Sequence, residues 1–177
     1  MKIAILFLPA AIAFGQAPFK VVATGTAGTP PSMYQSITAV EKRLDAKVDQ
    51  VGSKDGRVYV LGLTRGLYLA GYGAVFTQEL DLIQTPHPTP FHIQITADEA
   101  AKVHQHKQEN LAALRNAMRD MWADAVAALP KLADTDQMVL AVRLLYQPWE
   151  NTAGLPVQIV VKGPRTASPA TLQIEEQ

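Results

Sequence analysis

The sequence predicts an α+β fold, a mostly antiparallel four- or five-stranded sheet packed against two helices. Two segments repeat apolar residues at helical spacing, and each opens on a capping-box pattern, Ser32 with Gln35 and Thr96 with Glu99. Behind each segment lie two runs rich in β-formers, separated by turn residues. The chain is 48% hydrophobic and has no cysteine, so a core and not a disulfide framework must hold it.

Residues 1–15 read as a secretion signal: Lys2, an apolar run from Ile3 to Ile12, then small residues. Cleavage after Ala13 or Gly15 fits the small-x-small rule, whereas cleavage after Ala17 would place Pro18 beside the cut bond. The run falls short of the roughly 20 apolar residues that span a membrane. No cysteine follows it to carry a lipid. The expected location is periplasmic or secreted. Residues 16–31, with the stretch TGTAGTPP, read as an extended linker leading into a single domain over 32–163.

The first helix starts at Ser32. Met33, Ile37, Val40, Leu44 and Val48 form its apolar face, opposite Glu41, Lys42, Asp45 and Lys47. It should stop near Asp49, before Gly52, and Lys54-Asp55-Gly56 then marks a turn. Residues 58–63 (VYVLGL) read as a strand, punctuated by Arg65-Gly66, and 67–82 as a second, longer one. In its far half Ala74, Phe76, Leu80 and Leu82 alternate with Val75, Thr77, Glu79 and Asp81, which gives one apolar and one polar face.

Three prolines in 85–90 rule out regular structure there, and Phe91, Ile93 and Ile95 then alternate as a short strand. The long helix runs from Thr96 to about Leu129, where Pro130 stops it. Leu111, Leu114, Met118, Met121, Ala125 and Leu129 make its stripe, and Trp122 joins the core. Carried backwards, that stripe meets Lys107 at its centre and Asn110 at its edge. Residues 98–110 are therefore expected to overhang the core, or to pack against something outside this chain. Residues 138–146 (MVLAVRLLY) and 156–162 (PVQIVVK) read as a closing pair of strands around the loop 147–155, with 164–177 as a flexible tail. Helix, strand, strand occurs twice, and Ala70-Gly71 is echoed by Ala153-Gly154, a pattern compatible with an (α-β-β)2 duplication.

Sixteen basic residues balance sixteen acidic ones without a basic cluster, which argues against binding nucleic acid or an anionic membrane. His104 and His106 are two apart on a helix and diverge, so a metal would need one of them with His87 or His92. Glu79 and Asp81 share a strand face and could bind a cation or do acid–base work, although an exposed sheet face carries such charges for solubility alone. Ser32, Ser36, Ser53 and Ser168 lack a nucleophile motif. Gly71-Tyr72-Gly73 lacks the helix start of a phosphate loop and suits a bulge or a close backbone approach. Trp149, in a loop beside Pro148, is either an interaction anchor or a lid over the sheet edge.

The run Gly71-Tyr72-Gly73-Ala74-Val75-Phe76, followed by a strand to Leu82, resembles a set of uncharacterised exported bacterial proteins with a Gly-Tyr-Gly-x-x-Phe strand. The resemblance covers mainly residues 57–82 and implies export and a bacterial source, with no activity attached. The expected function is a non-catalytic exported domain, without cofactor, that binds a protein or envelope component or forms a homodimer. Trp149, Glu150, Asn151 and Lys107 are its candidate interaction residues. The alternative is a metal-dependent enzyme or metal-binding protein using Glu79, Asp81 and the histidines.

Overall fold

The structure, a computed structural model, describes residues 31–53, 56–86, 89–90 and 94–177. The signal segment, the linker up to Pro30, Lys54, Asp55, His87, Phe91, His92 and Ile93 lie outside the described residues, as does the Ser32 side chain.

Helix α1 (Pro31–Val48) leads through a two-stranded ribbon, β1 (Gly52–Ser53) and β2 (Gly56–Arg57), to the main sheet. That sheet is built from β3 (Tyr59–Leu69), β4 (Gly73–Asp81), β5 (Gln137–Leu144), β6 (Gln158–Pro164) and β7 (Gln173–Glu176), adjacent in that order. Helix α2 (Ala97–Ala128) joins β4 to β5. A helical crossover returns the chain to the end where β4 began, so β4 and β5 pair in parallel while the other three pairs are antiparallel. The fold is α+β with a mixed, mostly antiparallel sheet.

One face of the sheet is covered. Met33, Ile37, Val40, Leu44 and Val48 of α1 meet Leu111, Leu114, Met118, Met121, Trp122 and Ala125 of α2 in a single buried cluster. Phe76, Leu80, Met138, Leu140, Val142, Ile159 and Val161 supply the sheet's side of that cluster. The Thr96 capping box forms as expected: its side chain accepts from Glu99 N–H, and the Glu99 carboxylate accepts from Thr96 N–H.

Three expectations need correction. Arg65-Gly66 does not break the strand; β3 runs through it, and the turn falls at residues 70–72 instead. Gly66 lies inside the strand because Ile37 and Phe76 fill the place of its missing side chain, each 2.6 Å from where a Cβ would sit. Ile95 is in no regular element. Residues 164–177 are not a loose tail, because β7 pairs with β6, Leu172 is buried and Ile174 packs on the core. Arg115 of α2 also holds Glu176, with Nη2 donating to Oε2 at 2.8 Å. That hydrogen bond keeps the Glu176 carboxyl below its ordinary range.

Edge strand β3 is closed off by the neighbouring helix. Asp45 Oδ1 accepts from Thr64 N–H at 2.8 Å, and Glu41 Oε1 accepts from Gly66 N–H at 2.7 Å. Backbone donors that would otherwise invite another strand are thereby occupied.

Candidate functional site

The structure gathers Lys107, Trp149, Glu150 and Asn151 at one end of the molecule. The loop 147–155 lies against the first turns of α2. His104 Nδ1 donates to the Asn151 carbonyl at 2.8 Å. Lys107 is fully buried, with Nζ 2.7 Å from Asp81 Oδ1 and bonded to Glu150 Oε2. The Tyr146 ring lies under the same ammonium, its centroid 4.8 Å away. Glu150 is fixed in turn by Gln147 N–H at 3.0 Å, and Asp81 by the Thr85 hydroxyl at 3.1 Å.

The overhang therefore has its partner within the chain, contrary to a helix start waiting for something outside it. Asn110, at the edge of the stripe, is likewise held within the chain. It is buried, and its Nδ2 donates to the carbonyls of Gly56 and Leu82 at 2.8 and 2.7 Å, which ties β2 and the end of β4 to the helix. A buried charge needs a paired opposite charge, and two converging carboxylates supply it here. Burial, followed by the Glu150 and Asp81 carboxylates, pushes the Tyr146 phenol well above its ordinary pKa. The phenol donates to the Pro156 carbonyl at 2.6 Å. Trp149 is half-buried, and its Nε1 has no hydrogen-bond partner among the described residues. The cluster clamps a loop to a helix; Lys107 offers nothing to solvent.

The two carboxylates noted in β4 part company. Glu79 is exposed and lies 3.5 Å from Arg143, whereas Asp81 is drawn inward by Lys107 and Thr85. His104 is taken up by Asn151 and Gln108, and His106 pairs with Glu109 at 3.4 Å. His87 and His92 lie outside the described residues. Among the described residues, no three His, Asp or Glu side chains converge as a metal site.

The sequence reading missed the sheet's other face. Tyr59, Leu61, Leu63, Leu67 and Leu69 on β3, with Tyr72 in the turn, are 44–63% exposed. They alternate with Val60, Thr64 and Tyr68, which face the helices. Beside this row the sheet surface dips into an open hollow of about 410 Å³. Its floor is Gly62, Thr77 and Ala141, and Arg65, Glu79 and Arg143 stand at its rim. Period-2 leucines from 61 to 69 were the available signal: a strand apolar on both sides has one side that two helices on the opposite face cannot cover.

The chain matches no protein-family model, no curated protein and no solved structure. No helix among the described residues is long and apolar enough to cross a membrane.

Proposed function

We propose that this chain is an exported, non-catalytic module that binds another protein through the open face of its sheet. The carrying observation is the exposed row of leucines and tyrosines on β3. Half-exposed side chains of that size present on the order of 600 Å² together, the top of the roughly 300–600 Å² that the largest apolar patch of a monomer reaches. Such a surface costs solubility unless something covers it. Edge addition is disfavoured, because Asp45 and Glu41 occupy β3 donors and the opposite edge, β7, is short and carries Glu175 and Glu176. A partner therefore fits on the face. The leader-like residues 1–15 support export.

The repeated order α1-β3-β4 and α2-β5-β6 supports an origin by (α-β-β)2 duplication. Gly71 and Gly154, which sit in corresponding turns, have φ of +77° and +74°.

The test places a photo-crosslinking residue at Leu67 and, as control, at Asn116 on the helix side, in the full chain expressed with its leader. A processed chain outside the cytoplasm, giving one discrete protein adduct from position 67 and none from 116, supports the reading. An unprocessed cytoplasmic chain overturns export. Equal labelling from both positions, or none from 67, overturns use of the face.

A further inference from the structure

We infer that the open face takes a second copy of this chain, stacked sheet on sheet about a two-fold axis; this rests on the proposed use of the face. On the outer surface of β4, Thr77 pairs across to Arg65 and Glu79, one level further along, to Gly62, with a register shift in β3 on either side of Gly62. A two-fold axis lying between two such sheets, across the strands at the level of Gln78, exchanges those two levels. It sets Arg65 of one copy over Gly62 of the other.

Gly62 is suited to receive it. A side chain built there would meet nothing within 4 Å, and the hollow opens above it. An arginine entering the hollow arrives beside Glu79, so each copy gives one Arg65 and receives one Glu79, and two charge-assisted pairs form. The levels are roughly 7 Å apart, within reach of an arginine side chain. The same operation carries Leu67, which pairs with Val75, to the level of Tyr59 and Asp81, so leucine meets tyrosine. Arg143 on β5 stands at the same level, 3.5 Å from Glu79, so that carboxylate lies between its own Arg143 and the incoming Arg65 and serves both.

Size agrees as well. The apolar row and the rim of the hollow together approach the roughly 800 Å² per partner of a standard interface. Packed sheets tolerate this geometry, with strands aligned to within about 30°.

Sedimentation equilibrium of the secreted, processed chain tests the idea. The expected result is twice the chain mass at micromolar concentration. Arg65→Glu and Glu79→Arg should each weaken self-association at least about tenfold. Mixing the two variants should restore a dimer, because a mixed pair has arginine facing glutamate at both positions. Gly62→Leu, which fills the hollow without touching the core, should also give monomer with an unchanged circular dichroism spectrum. A monomeric wild-type chain that still gives a Leu67 adduct to a different protein overturns the second copy and leaves the face intact as a binding site. A monomer without any adduct overturns both. A dimer indifferent to these changes, or no recovery on mixing, places self-association elsewhere and overturns the inference.

Discussion

Lys107 Nζ lies 2.7 Å from Asp81 Oδ1, so the middle of one apolar helix stripe is pinned by charge to the last residue of β4. Glu150, whose side chain is 1% exposed, binds the same ammonium. Removing only the cation leaves two carboxylates facing each other away from water. Lys107→Met should therefore cost about 3–5 kcal/mol of folding stability, the range for breaking one side of a buried pair. Adding Asp81→Asn and Glu150→Gln to it should recover most of the loss. Urea unfolding decides it: a Lys107→Met midpoint close to wild type would show that the pair does not hold the fold.

Tyr146 gives the same cluster an alkaline limit. Its pKa in the fold is raised by burial and by the two carboxylates. Above about pH 10, the ordinary value, an unfolded phenol gives up its proton while the folded one keeps it. Its contribution is thus complete below about pH 10 and drains away as pH climbs toward the folded value. Tyr146→Phe should lose about 1 kcal/mol at neutral pH with the hydrogen bond to Pro156. Its stability should fall less steeply than wild type above pH 10. Parallel slopes in urea midpoints measured from pH 8 to 11 would refute this.

The same lysine shows how far the residues alone could be read. Capping boxes and apolar periodicity are local, and the α+β class and both helices followed from them. The Lys107 partners stand 26 positions before it and 43 after it, so nothing local announced the pair. Its place in the stripe, four residues from both Val103 and Leu111, did signal a charge needing an acid. The β3–β4 turn was misplaced because Gly66 and Gly71 look alike in sequence. Only the packed Ile37 and Phe76 distinguish a glycine kept for space from one kept for its turn. The tail hid β7 because Ile174 is a single apolar residue among polar ones, and its strand depends on β6 being present.

Closure of the β3 edge by α1 is open to a direct test. Asp45 Oδ1 accepts from Thr64 N–H, from the Thr64 hydroxyl at 2.6 Å and from Gln78 at 3.3 Å. Asp45→Ala orphans these donors and should cost about 1–3 kcal/mol. It also frees a backbone donor on an exposed apolar edge, so the variant should aggregate faster than wild type on mild heating. Light scattering alongside thermal unfolding separates the two effects. A destabilised variant that aggregates only in proportion to its unfolded fraction would show that the carboxylate supports the fold without protecting the edge.

Gly73 tests why β4 and β5 can lie side by side. It has φ of +137°, and a methyl group on it would sit 1.8 Å from the Gln137 carbonyl oxygen. Gly73 pairs with Gln137 at the start of the parallel ladder, and Gln137 N–H donates to the Tyr72 carbonyl at 2.7 Å. The backbones are that close because neither a side chain nor a β-carbon stands between them. Gly73→Ala must therefore move backbone, not a flexible side chain, and it adopts a φ that L-residues avoid. The expected cost is about 3 kcal/mol or more. Gly71, two residues earlier, has φ of +77° and open space around a built β-carbon. Gly71→Asn should cost only about 1 kcal/mol, since asparagine tolerates the left-handed region. Comparing the two variants by thermal unfolding isolates close approach from backbone conformation. Equal losses would mean that the turn alone governs both glycines.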